Sequence, residues 1–259
     1  MKTLVTMGRG GTGQTSFVAL QTKYFLEQNE MPLLLVDLDP DQNLAEMVGV
    51  DLEKEGIKTI AELVTETFIK KGGTMTGIAP KERIESQVLK EGMYEGSHFD
   101  LIAIGTKWVE GCYCMPDAAL KRALESLSKN YTYVLVDSPA GLEHLNRKVT
   151  AQVSDIFDVM GPSHKSLLHV QRADRITREV GITFDRFFLV GGCLFPPSLE
   201  KRGQIETGQQ FLGKIVFDPI IQESVIAGRS LLNVPCSSPA YRSVSALMEN
   251  AGYGKAGSK

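Results

Sequence analysis

The sequence predicts an α/β protein in which a mostly parallel, twisted sheet carries helices on both faces. Two observations predict it. Short apolar runs, Leu33 to Val36, Leu101 to Ile104, Tyr133 to Val136, Ile156 to Met160 and Phe187 to Val190, recur along the chain and alternate with stretches of helical period. Continuous runs of this length suit strands buried on both faces, and the intervening helices suit the crossovers that parallel strands require. The first apolar run, Leu4 to Met7, breaks directly into a glycine-rich turn, Gly8-Arg9-Gly10-Gly11-Thr12-Gly13, with a helical stretch behind it. A strand, a glycine turn and a helix N-terminus in that order form a cradle of backbone N–H groups suited to an anion such as phosphate.

Within that turn, the spacing from Gly8 to Gly13 and on to Thr15 and Ser16 is that of the phosphate-binding loop G-x-x-x-x-G-K-S/T,. Gln14 stands where the pattern has lysine. An amide can hydrogen-bond a phosphate but brings no charge; Arg9 offers a cation from another place in the loop. The Thr15 and Ser16 hydroxyls follow at the position that reaches Mg²⁺. The helix is expected over Thr15 to Gln28, with Phe17, Leu20 and Tyr24 on its apolar side,.

The second strand, Leu33 to Val36, runs out through Asp37-Leu38-Asp39-Pro40 and Gln42-Asn43. Ligands bind at the carboxyl ends of parallel strands, so this loop faces the same cavity as the glycine turn, and a carboxylate there can orient an attacking water. The other reading is a plain turn rich in Asp, Asn and Pro. Gly49 to His98 is the polar part of the chain, with a helix expected over Thr59 to Phe68 and a glycine-rich loop over Lys71 to Pro80,. A helix follows Leu101 to Ile104, with Leu120, Leu124 and Leu127 on one side. Tyr133 to Val136 closes on Asp137, the arrangement in which a strand-end carboxylate reaches a Mg²⁺ shell. Phe187 to Val190 ends in Gly191-Gly192-Cys193, a last strand is expected over Lys214 to Phe217, and Gly252 to Lys259 reads as a frayed tail,. With no internal repeat or linker, residues 1–259 read as one domain.

A net charge of −3 without a basic run argues against nucleic acid as a partner,. The longest apolar runs are far short of the ~18 residues that span a bilayer, which argues against a membrane. No apolar leader precedes the first strand, and four cysteines are too few for a disulfide scaffold,. The expectation is a cytoplasmic protein with reduced thiols. Cys112 and Cys114, one residue apart, would point their sulfurs to the same side of an extended segment,. A thiolate pair suits Zn²⁺, Cu(I) or Ni²⁺, and a twofold dimer would bring the two pairs together as four ligands. The competing reading is a pair of small apolar side chains. Cys193 and Cys236 read as structural, and His98, His144, His164 and His169 as surface or hydrogen-bonded polar residues.

Gly8-Arg9-Gly10-Gly11-Thr12-Gly13-Gln14-Thr15, Asp37-Leu38-Asp39-Pro40, and Val136-Asp137 followed by Ala140-Gly141-Leu142-Glu143-His144 resemble the deviant-Walker-A P-loop ATPases of the MinD/ParA and nitrogenase-iron-protein superfamily. Gly111-Cys112-Tyr113-Cys114 narrows the resemblance to the CooC-type maturation ATPases of carbon monoxide dehydrogenase. The similarity runs from Met1 to about Leu232. It implies a P-loop NTPase fold, ATP or ADP with Mg²⁺, and a homodimer that holds Ni²⁺ or Zn²⁺ through Cys112 and Cys114. The implied client is a nickel and iron–sulfur enzyme such as carbon monoxide dehydrogenase. By the same resemblance Arg9 takes the place of a lysine that reaches the partner's nucleotide, Gln14 that of the lysine on the phosphates, Thr15 binds Mg²⁺, Asp39 positions the attacking water, and Asp137 lies in the second switch.

The chain departs from the family pattern at Arg9, at Gln14, and at Gly191-Gly192, where the family has an asparagine that reads adenine. All three positions serve the nucleotide. The resemblance therefore leaves two readings: an ATPase in which Arg9 makes up for lysine, and a thiolate metal-binding protein whose hydrolysis has decayed. An ATP-dependent reductase component with a bridging iron–sulfur cluster is a third. A partition protein or membrane-site protein would want a basic surface or an amphipathic tail.

Overall fold

The computed structural model describes residues 1–70, 80–106, 114–141 and 152–254. The apolar runs form the centre of one eight-stranded sheet in the order β3-β4-β2-β5-β1-β6-β7-β8. Its strands are β1 (Lys2–Gly8), β2 (Leu33–Asp37), β3 (Tyr94–Glu95), β4 (Phe99–Ala103), β5 (Tyr133–Asp137), β6 (Gln152–Met160), β7 (Thr183–Gly191) and β8 (Gln210–Lys214). Every pairing is parallel except β3 with β4. The predicted class is therefore the observed one, with the antiparallel edge ribbon Tyr94–Glu95 as an addition too short and polar to read from the sequence.

Helices cover both faces. On one, α1 (Gln14–Glu27), α2 (Asn43–Met47) and the last helix, α9 (Pro239–Asn250), bury Phe17, Leu20, Leu44, Val244 and Leu247 against Leu4, Leu35 and Leu135 of the strands. On the other, α3 (Ile60–Val64), α4 (Pro80–Glu91), α5 (Cys114–Leu127) and α6 (His164–Glu179) pack Leu63, Val88, Leu120 and Leu167 against Val36, Ile102, Val136 and Ile156. The alternation along each strand sends successive side chains to opposite faces, so each central strand feeds both layers. α3 starts at a reciprocal cap between Thr59 and Glu62 and widens into a π-helical turn over Thr65–Lys70. Of the expected loop over Lys71 to Pro80, Pro80 opens α4 and residues 71–79 lie outside the described residues.

Two expectations are corrected. The last strand is Gln210–Lys214, and not Lys214 to Phe217. After Gly213, at φ 136°, the chain swings off the sheet, leaving Val216 and Phe217 about half exposed, and Asp218 caps α8 (Pro219–Ile226) by accepting from the Ile220 N–H. The apolar run at 214–217 signalled an exposed surface rather than a strand. A short helix, α7 (Glu200–Thr207), fills the crossover before β8.

The tail is ordered at its beginning. Tyr253 is 4% exposed; its ring packs edge-on against Phe25 and Tyr133, its hydroxyl donates to Asp155, and its carbonyl accepts from the Tyr24 hydroxyl at 2.9 Å. Arg186, partly exposed, donates to the buried Asp155 and also to the Ala251 carbonyl at 2.7 Å, closing a network of charge-assisted bonds,. One aromatic among glycines gives no periodic signal, which is why the sequence reads it as frayed. Residues 255–259 lie outside the described residues. Tyr253→Ala removes the ring and strips Asp155 of a donor, so it is expected to cost about 3–5 kcal/mol in a urea unfolding experiment.

Candidate nucleotide site

β1 lies between β5 and β6, so the chain leaves it toward one half of the sheet and later returns to build the other. That reversal is the switch point at which open α/β sheets hold ligands, and the glycine turn sits on it. Gly11 and Gly13 take positive φ, 77° and 92°, and Gly13 is the N-cap of α1. No side chain caps that helix and no acidic residue lies in its first turn, so its first N–H groups remain available to an anion,. The turn is tied from within, where the Thr12 hydroxyl donates to the Arg9 carbonyl at 2.8 Å, and from without, where Gly141 N–H donates to Gly8 O at 3.1 Å.

Gln14 points back into the turn. Its Nε2 would lie 2.7 Å from a Cβ on Gly8, it is buried, and it has no hydrogen-bond partner among the described residues. A buried amide donor without an acceptor is costly and marks a place where a ligand oxygen fits. Arg9 is exposed at the tip of the turn, and Ser16 donates weakly to the Met47 sulfur at 3.7 Å.

Below the turn, parallel pairing of β2 with β5 sets Asp37 directly beside Asp137. Both are fully buried. Asp37 accepts from the N–H groups of Asp39 (2.9 Å) and Leu44 (3.0 Å), which folds the loop after β2 around it. Burial nonetheless pushes its pKa up to about 7. Among the described residues neither oxygen of Asp137 has a hydrogen-bond partner of good geometry; burial, then the charge of Asp37, lift it well above the usual carboxylate range, and the nearby Thr15 hydroxyl pulls the other way. Two carboxylates, one of them unsatisfied, beneath a hydroxyl and an anion cradle fit a divalent cation bound together with phosphate. Asp39 is half-buried at the rim, where its Oδ1 accepts from the Asp41 N–H at 3.0 Å.

The structure thus brings together Gly8 to Ser16, Asp39 and Asp137. The sequence reading named the loop beginning at Asp37 but no role for that residue, although it ends its strand as Asp137 does. Cys112 lies outside the described residues, as do Glu143 and His144, while Cys114 opens α5. Among the described residues no cluster of three or more His, Cys, Asp or Glu side chains could hold a metal. The solitary cysteines are not core residues: Cys193 is half-buried and Cys236 exposed, its thiol facing Glu27 at 3.1 Å. His98 and His164 are exposed. His169 is not: it is buried with its Nε2 3.6 Å from the buried Asp158, burial lowers its pKa to about 4 with help from Arg9 and Arg172, and neither atom finds a hydrogen bond among the described residues. Its place on the inner stripe of α6 was available in the sequence, beside Leu167 and Val170.

A cavity of about 340 Å³ opens beside the turn, bordered by Thr12, Gly13 and Ser16 at one end and by Phe217 and α8 at the other. Beside it, Gly192 packs on the turn: a Cβ there would meet the Thr12 carbonyl oxygen at 2.6 Å, so only glycine lets the chain after β7 pass against the turn,.

The raised pKa values give a linkage prediction. Between the unfolded carboxylate value near 4 and about 7, the folded state retains a proton that the unfolded chain has released, so ligand-free stability falls as pH rises through this window,. Asp137→Asn removes one charge of the pair. Its melting temperature without ligand is expected to exceed the parent's by about 3–8 °C at pH 8, with the gap shrinking toward pH 5; scanning calorimetry across that range measures it.

Comparison with known proteins agrees with this geometry. The AAA domain family matches residues 2–168. An uncharacterised ATP-binding protein of Methanocaldococcus jannaschii is 28% identical over 95% of this chain and 96% of its own. The carbon monoxide dehydrogenase accessory protein CooC of Rhodospirillum rubrum is 28% identical over 97% of this chain and 98% of its own. The solved structure of the septum site-determining protein MinD from Pyrococcus horikoshii, complexed with Mg-ADP, superposes with a TM-score of 0.66 at 18% identity, over 96% of this chain and 95% of that one.

Proposed function

The chain belongs to the AAA domain family, with the fold of the MinD and ParA ATPases, and on that premise we propose that it is an ATP-dependent maturation factor that delivers nickel to a carbon monoxide dehydrogenase. The observation that carries the nucleotide half is the presence at one site of two buried groups without a hydrogen-bond partner among the described residues, the Gln14 amide donor at the start of α1 and the Asp137 carboxylate at the end of β5. A Mg²⁺-bound nucleotide consumes both. In this reading the N–H groups of Gly10 to Gly13 and of the first turn of α1 hold the phosphates with Gln14, and Arg9 supplies the positive charge. Thr15 and Asp137 hold Mg²⁺, which neutralises the phosphates, and Asp39 orients the attacking water. The whole-length similarity to CooC and the Cys112/Cys114 pair support the metal half. Nickel is cargo, held by the thiolates of two protomers and released to the client when the dimer changes its nucleotide.

Gln14 favours one rival, a homologue that binds metal without turning nucleotide over. Calorimetric titration with ATP and Mg²⁺, run beside Gln14→Lys, separates the two. Micromolar binding by the parent, with steady phosphate release, is expected. Binding or release that begins only with the lysine places the chain with the rival. For the metal half, equilibrium dialysis is expected to find one Ni²⁺ per two chains, and none in a variant with Cys112→Ser and Cys114→Ser; retained nickel in that variant sinks the thiolate site.

A further inference from the structure

α6 and α7 pack against each other along a seam. A Cβ on Gly203 of α7 would lie 3.6 Å from the Leu167 side chain, and Gln171 of α6 donates to the Glu206 carbonyl at 2.9 Å. On the outer side of this pair Leu168 is 39% exposed and Ile205 81% exposed. Both border the seam: Gln171 lies one turn along α6 from Leu168, and Glu206, whose carbonyl it reaches, follows Ile205 directly,. A single exposed aliphatic is ordinary, but two beside one seam make an apolar spot. The charges around it are unbalanced. Of the acids on these two helices, Asp174 accepts from Arg178 at 3.0 Å, Glu206 accepts from Arg202, and Glu179 faces Arg175 at 3.8 Å. Glu200 lies in the first turn of α7, against that helix's own positive end,. Lys165, Arg172 and Lys201 remain, all exposed and without an acidic partner among the described residues. Lys165, Leu168 and Arg172 follow one another at spacings of three and four, so they share one stripe of α6,.

We propose that the outer face of α6 and α7 docks an acidic segment of a partner protein, whose carboxylates meet Lys165, Arg172 and Lys201 and whose aliphatic side chains cover Leu168 and Ile205. An apolar centre within a charged rim is the anatomy of a protein interface. The sign of the rim selects the partner: the chain as a whole carries −3, so this face is a local reversal that draws in acidic groups and repels basic ones. Nucleic acid fits it less well. Three uncommitted cations neutralise few phosphates, where strong duplex binding rests on roughly six to ten such contacts, and Leu168 and Ile205 would gain nothing against a phosphate backbone. None of these residues belongs to the nucleotide site described above.

Selection of random peptides displayed on phage against the full chain tests the surface. Enriched sequences are expected to be acidic, with leucine or isoleucine among the carboxylates, and the corresponding synthetic peptides to bind more weakly as salt is raised. The variant Lys165→Glu, Arg172→Glu, Lys201→Glu is expected to weaken those peptides by about tenfold or more while melting with the parent, because all three side chains are exposed. Leu168→Asn with Ile205→Asn, which keeps every charge, is expected to weaken them by about tenfold. Enrichment without regard to charge, absence of any enrichment, or affinity unchanged in either variant overturns the proposal. So does duplex DNA or a phosphatidylserine vesicle that binds the parent more tightly than the peptides and is released by the charge reversal, which would give the face to nucleic acid or to a membrane.

Discussion

Two carboxylates lie side by side at the ends of adjacent parallel strands, both buried. Asp37 and Asp137 are put there by register alone, since β2 and β5 pair from Leu33 with Tyr133 up to this last rung. The arrangement opposes stability, because each charge is desolvated and each repels the other. What the fold receives in return is order in the neighbouring loops. Asp37 gathers the N–H groups of Asp39 and Leu44, and the backbone of Leu38 in turn reaches the Asp137 carbonyl. The rim of the site is thus built on the same pair that makes its floor electrostatically unsatisfied. Such local cost at the centre of a well-packed core is the usual mark of a site whose ligand completes it.

The three departures from the family pattern read differently once their surroundings are known. Gln14 lies inside the turn with its amide donor unpartnered among the described residues, at the position where the family pattern has a charge. Gly191 and Gly192 are required by close approach to Lys214 and Thr12. The chain after β7 lies against the phosphate cradle, where a Cβ on Gly192 would meet the Thr12 carbonyl oxygen at 2.6 Å. Arg9 alone stands free in water. Charge has therefore been withdrawn from the inside of the loop and retained at its edge.

Most of the sheet was legible because its central strands are buried on both faces and so are written as unbroken apolar runs. The glycine turn was legible because its spacing fixes a backbone shape. The errors share a cause. Lys214 to Phe217 looks like a strand because exposure is invisible in a run of four residues, and Tyr253 looks like tail because a lone side chain has no period. His169 and Asp158 were missed as a pair because they meet only when α6 folds over β6. Asp37 was read as the start of a loop facing the cavity but given no role of its own, although its burial follows from the same strand-end signal that identified Asp137.

The position of β1 has a consequence for how the chain is made. It is synthesised before either strand that it pairs with, and it ends in the middle of the sheet, where Lys2 pairs with Tyr133 and Leu4 with Asp155. Until residues 133–160 have been synthesised, both edges of an apolar strand are bare, an interval on the order of ten seconds at cellular elongation rates. The glycine turn gains its wall at Gly192 later still, and α1 receives the Tyr253 clasp after that. A chain stalled or cut short before these residues therefore presents an aggregation-prone strand and a half-built cradle, so the cell's quality control meets this protein as all or nothing.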